Sequence, residues 1–227
     1  MTPIEQKLRA YPSVGRGVMR FRLVYNGVLP ASANSSKPLD VMRIRKELSP
    51  QLKYLWETHS ALKVLLNEGA RKLPSNNFNQ FAGSPSPRQL SRIMPEEYED
   101  LCVEIPVGDK HYMPLVRKSL DLNCELNILF LRQQDPGDLV SQGGDIDNRI
   151  KTLLDALRMP DRAEQEKAPY QERGLYCLME SDTLVSRLDI DTDRLLFPVT
   201  TKPHEVHLVI EVKINVLRVA IHNMCLL

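Results

Sequence analysis

Cysteine is used sparingly and without pattern. Its four positions (Cys102, Cys124, Cys177, Cys225) are widely separated and form no CxxC pair, which argues against a disulfide framework or a thiolate zinc site. No apolar run reaches the length of a membrane span. The opening "MTPIEQKLRAYPSVGRG" carries no secretion-signal core. The expectation is a cytoplasmic protein with no membrane partner. Aromatic residues are few, and the single tryptophan, Trp56, falls on an apolar helical face where it reads as core.

Net charge is also nearly absent, +1 overall, but its distribution is uneven. Residues 1–120 carry 18 Lys and Arg against 11 Asp and Glu; residues 121–227 carry 12 against 18. A basic half joined to an acidic half suits a protein that holds a polyanion with one part and cations with the other. Solvated faces that differ by chance give the same totals.

The pattern along the chain predicts an α/β (α+β) protein: one domain over 1–227, with a core of about 18–217 and a mixed sheet packed against helices. In "MRFRLVYNGVLPA" the alternation of Met19, Phe21, Leu23 and Tyr25 predicts a half-buried strand ended by Asn26-Gly27 and Pro30. Residues 38–69 read as helix, divided in two at Pro50. "SNNFNQFAGSPSPRQ" reads as a loop or inserted excursion. "VEIPVGDKHYMPLV" reads as a hairpin turning at Gly108-Asp109, its prolines suited to an edge. Leu120, Leu122, Cys124, Leu126, Ile128 and Phe130 predict one buried strand face, and Val206 to Val216 in "EVHLVIEVKINV" predict another. "ESDTLVSRLDIDTD" predicts a strand, and "DRAEQEKAPYQERG" shows no period.

Chemistry concentrates in "GGDIDNRIKTLLDALRMP", residues 143–160. Ile150, Leu153, Leu154 and Leu157 form a helical apolar stripe, while Asp147, Lys151 and Asp155 recur at i, i+4, i+8 on the opposite side. Asp147 is placed to cap the helix, and Asp145, two residues earlier in an extended segment, would point to the same side. Clustered carboxylates repel unless a cation lies between them, and Mg²⁺ (or Mn²⁺) held by one or two carboxylates completes its shell with water and phosphate oxygens. The same spacing also suits plain capping plus an Asp147–Lys151 ion pair. A second "DID", Asp189 to Asp191, fails as a calcium loop because Arg194 and Thr200 replace the required Gly and Glu.

"DIDNRIKTLLDAL" resembles the signature of the RusA-like Holliday junction resolvases, Asp-x-Asp-Asn-x-x-Lys-x-x-x-Asp-Ala-Leu. Asp145, Asp147, Asn148, Lys151, Asp155, Ala156 and Leu157 meet every fixed position. "ESDTLV" is similar to the family's Asp-Asp-x-x-Val element, with Asp182 on its second aspartate and Val185 on its valine. The resemblance implies a homodimeric, Mg²⁺-dependent endodeoxyribonuclease acting on branched or structured DNA. It implies Asp145, Asp147 and Asp182 as metal ligands and Lys151 as the cleavage-assisting lysine. Arg20, Arg22, Arg43, Arg45 and Lys46 in the basic half are the candidate phosphate contacts. The sequence departs from the family at Ser181, which stands on the first aspartate of the pair, and in "RQQDPGDLVSQGG", which lacks the family's basic run. Two insertions, at about 70–117 and 160–176, also have no counterpart. The alternatives are a non-catalytic nucleic-acid-binding protein on the same fold and, less favoured, an Asp-x-Asp transferase, for which no nucleotide-binding glycine turn follows the first strand.

Overall fold

The structure, a computed structural model, describes residues 19–30, 37–63, 104–133, 145–167, 174–196, 205–218 and 223. The excursion at 70–94, the loop at 134–144 with Gly143 and Gly144, and Cys102 and Cys225 lie outside the described residues. In chain order the elements are β1 (Arg20–Val28), α1 (Lys37–Thr58), β2 (Ile105–Val107), β3 (Lys110–Val116), β4 (Leu122–Arg132), α2 (Asp145–Leu157), α3 (Arg162–Lys167), β5 (Gly174–Met179), β6 (Val185–Arg194) and β7 (Glu205–Val216). Short 3₁₀ turns, Lys118–Leu120 and Asp182–Leu184, precede β4 and β6. The α+β class expected from the sequence is what forms, with strands in two sheets rather than one.

The larger sheet has the order β1-β7-β4-β6. β7 pairs antiparallel with both β1 and β4, and β6 lies parallel to β4 from Cys124–Val185 to Arg132–Arg194. A parallel neighbour demands a crossover, and the segment between β4 and β6 supplies it with α2. One face is continuous core: Leu23 and Tyr25 from β1, alternate residues Leu122 to Phe130 from β4, and Val206 to Ile214 from β7 are all buried. Ile44, Leu48, Leu52 and Trp56 of α1 and Ile150, Leu153 and Leu157 of α2 belong to the same cluster. Among the described residues no helix is long and apolar enough to cross a membrane.

The smaller sheet, β2-β3-β5, joins two strands of the first expected insertion to β5, which begins at the end of the second. β2 and β3 form the predicted hairpin, and Gly108 takes the left-handed conformation (φ 61°) that its turn requires. β2 covers only Lys110 to Tyr112, so Pro114 lies beyond the pairing that a proline would interrupt on that side. β3 then runs parallel to β5. Val107, Tyr112, Leu175 and Cys177 close a second small core on Met42 of α1, and Ser49 Oγ accepts a hydrogen bond from Tyr176 N at 2.8 Å. α1 therefore binds both sheets. Cys124 and Cys177 are buried, and burial pushes each thiol up to about 12.

Two boundaries differ from the sequence-based expectation. α1 continues through Pro50 instead of breaking there. The proline is exposed, while Leu48, Ser49, Leu52 and Trp56 around it are buried. Tertiary packing of that face outweighs the roughly 3 kcal/mol that an interior proline costs. β1 continues through Asn26-Gly27 to Val28. Gly27 serves close approach rather than a turn, since a Cβ there would meet the Tyr25 hydroxyl at 2.8 Å.

Candidate functional site

α2 begins at Asp145, two residues before the expected cap, so Asp147 lies inside the first turn. The side chain of Asp145 is outside the described residues. Asp147 keeps a favourable place near the positive end of the helix dipole without capping it.

Asp147 and Lys151 are both exposed and stand four apart on one stripe. Neither forms an ion pair with the described residues, so the expected i,i+4 pair is not made. Asp155, one turn further, behaves differently. It is partly buried and engaged twice: Lys37 Nζ lies 3.0 Å from Oδ2, and Arg158 Nη2 lies 3.2 Å from Oδ1. The stripe thus splits into an uncommitted front and a structural rear.

Asp182 opens the 3₁₀ turn before β6 and is exposed. Ser181 caps that turn: its Oγ accepts from Thr183 N at 3.3 Å and donates to Asp182 Oδ1 at 3.4 Å. The turn packs against α2. Just before it, Met159 N donates to Met179 O at 2.9 Å, tying the C-terminal end of α2 to the end of β5. Glu180, the acidic residue beside Ser181, accepts from Lys118 N at 3.3 Å. Among the described residues no three His, Cys, Asp or Glu side chains gather closely enough to hold a metal ion. The set therefore turns on Asp145, whose carboxylate is not among them.

The basic candidates divide sharply. Arg45 is not on the surface: it is 1% exposed, and its Nε and Nη2 donate to the carbonyls of Arg158 (3.1 Å) and Asp155 (2.6 Å). These carbonyls end α2, where a cation is favoured by the helix dipole. Burial pulls the Arg45 pKa down. The burial of Arg45 has a visible origin: Val41, Arg45, Leu48, Leu52 and Trp56 share one helical stripe, and Arg43 two residues away faces solvent. Arg43 donates to Tyr25 Oη (2.9 Å) and to Val28 O (2.7 Å). Arg149 of α2 donates to Leu29 O, so two guanidinium groups meet the end of β1 beside the first turns of α2. Arg149 is thus a basic residue at the site that sequence reasoning missed, although it lies within the motif. Arg20, Arg22 and Lys46 are exposed, with Arg22 2.7 Å from Glu211. Asp189, Asp191 and Asp193 lie along the edge strand β6, on its solvent side as expected, with Asp189 2.7 Å from Arg187.

The chain matches no protein-family model, no curated protein and no solved structure.

Proposed function

We propose that this protein is a RusA-like, Mg²⁺-dependent endodeoxyribonuclease of branched or structured DNA, acting as a homodimer. What carries the proposal is a contrast within one helix. Asp147 and Lys151 are exposed and outside any ion pair with the described residues, whereas Asp155 on the same stripe is held by two cations. The turn of Asp182 packs on that helix. Exposed carboxylates without protein counter-charges suit a hard divalent cation in their chemistry. Asp145, Asp147 and Asp182 would hold Mg²⁺, which when bound lowers the pKa of a coordinated water and neutralises phosphoryl oxygens.

The remaining work belongs to side chains. The Lys151 ammonium would donate to a phosphate oxygen or to the departing oxygen as charge builds there. Arg43 and Arg149 would fix the backbone beside the helix start, with Lys46 extending the basic track along α1. Two such sites related by a two-fold axis would nick opposing strands.

A non-catalytic nucleic-acid-binding protein on the same fold is the second reading. Ser181 favours it: where the family carries an aspartate, this hydroxyl is spent on capping the 3₁₀ turn. Incubation with labelled four-way, three-way, flap and linear DNAs, with and without Mg²⁺, separates the two. Mg²⁺-dependent nicks in branched substrates are expected. Binding without nicks in Mg²⁺ or Mn²⁺ would establish the non-catalytic role.

A further inference from the structure

Between the first turns of α1, the end of α2 and α3 lies a cavity of about 260 Å³. Arg45 lines it, and its guanidinium poses a charge problem. It cannot lose its proton at neutral pH, it is buried, and its two hydrogen bonds go to carbonyls rather than to a carboxylate. A buried cation whose hydrogen bonds go only to neutral carbonyls is costly to hold out of water. Part of that cost is offset by the C-terminal dipole of α2. Three of the five guanidinium N–H groups remain beyond those two bonds.

Of the acidic groups around the cavity, Glu164 lies near enough to favour the Arg45 charge, but none accepts a hydrogen bond from it. Asp155 is held by Lys37 and Arg158, and Glu164 lies 2.5 Å from Arg158 Nη2. Asp161 Oδ1 accepts the Glu164 backbone N–H at 2.8 Å. The lining carries three cations (Lys37, Arg45, Lys167) and three anions (Asp155, Asp161, Glu164), and Arg158 behind it draws on two of those anions, Asp155 and Glu164. Lys167, exposed at the rim, forms no ion pair with the described residues.

We propose that this cavity is a binding site for a small oxyanion, a carboxylate or phosphate group, received by the free N–H groups of Arg45 and closed over by Lys167. The planar fork of arginine matches either group in a two-point contact. The volume suits a small ligand or one end of a larger one. Binding would join α1, α2 and α3 through a single charge, so it would stabilise the fold whether or not the protein cleaves DNA.

The test uses the full chain, titrated with inorganic phosphate and separately with acetate, against sodium chloride at matched ionic strength. Thermal unfolding and calorimetry are the readouts. A saturable rise in Tm is expected for at least one of the two anions, with a dissociation constant at or below about 1 mM. Response to phosphate alone assigns a phosphoryl ligand, and response to acetate alone a carboxylate. K167E, on the exposed rim, should keep the fold and weaken binding at least tenfold. R45M adds a second check, because it removes the charge at similar length and should abolish the response wherever it folds. No saturable shift beyond chloride, or equal binding by K167E and the parent, would overturn the proposal and leave Arg45 as a helix-capping cation only.

Discussion

Lys37 Nζ lies 3.0 Å from Asp155 Oδ2, so the last aspartate of the helix motif joins the start of α1 to the rear of α2. Asp155 also receives Arg158, which in turn holds Glu164 of α3. Three helices meet in one ion network, in which each side chain is less than one-third exposed. Asp155→Asn should therefore act on stability rather than on DNA cleavage. A loss of about 1–3 kcal/mol in urea unfolding is expected, since a partly buried charge pair is broken on one side. Lys37→Met should couple with it in a double-mutant cycle. Additive effects would show that the pair contributes nothing.

Asp147→Asn and Asp182→Asn should leave stability within about 0.5 kcal/mol of the parent, because both side chains are exposed. Each should lose Mg²⁺-dependent nicking while binding branched DNA at least as well without metal. Lys151→Ala should bind DNA and nick it slowly. An Asp182→Asn protein that cut like the parent would remove that residue from the metal set.

Phosphate binding can be read from salt dependence. Arg43→Gln with Lys46→Gln should flatten the plot of log K against log[salt] by about 0.9 for each phosphate no longer neutralised. Arg45 belongs outside that set because it is buried. An unchanged slope would shift the binding surface away from α1, with Arg20 and Arg22 of β1 the next pair to test.

Edge protection gives a further outcome. Gln51 of α1 reaches the open edge of β1, where its Oε1 accepts from Val24 N at 2.9 Å and its Nε2 donates to Val24 O at 2.6 Å. The amide thus occupies the backbone N–H and C=O of Val24, two groups that another chain could otherwise pair with. Gln51→Ala should raise concentration-dependent association in light scattering. A protein that stayed as dispersed as the parent at high concentration would show that the edge is guarded by other means.

The buried thiols set an alkaline limit. Cys124 and Cys177 stay protonated in the fold up to about 12, whereas in the unfolded chain they ionise near the ordinary thiol value of 9.0. Between those values the unfolded state binds fewer protons, so stability falls as pH rises from about 9 towards 12. Cys124→Ala should make that fall shallower. At pH 8 both thiols should resist a maleimide until denaturant is added. Rapid native labelling of either would contradict its burial.

Much of the architecture is legible because periodicity reports burial directly. The alternations of Leu122 to Phe130 and Val206 to Ile214 are the core face of the sheet, and Trp56 is fully buried on its helical stripe. The motif helix is readable for the same reason, with Ile150, Leu153 and Leu157 buried. Two elements are not. α3 is six residues with only Gln165 buried, where Tyr112 Oη meets it, and so short a polar helix has no period to detect. β5, "GLYCLM", is a six-residue apolar run that periodicity cannot assign without knowing that β3 lies beside it.

The sequence by itself determined which residues are apolar, at what spacing, and hence which strand and helix faces must leave water. Tertiary structure alone decided which polar residues are left over for chemistry. Arg43 and Arg45 look equivalent in "VMRIRKEL", yet one faces solvent and the other lies under α2, because a helix turns two neighbours so spaced to opposite sides. Asp147 and Asp155 stand equally on one stripe, yet among the described residues only Asp155 meets cations, because Lys37 of α1 and Arg158 reach the rear of α2. Side-chain pairing is set by what another element brings within reach, and spacing along one element carries no record of that.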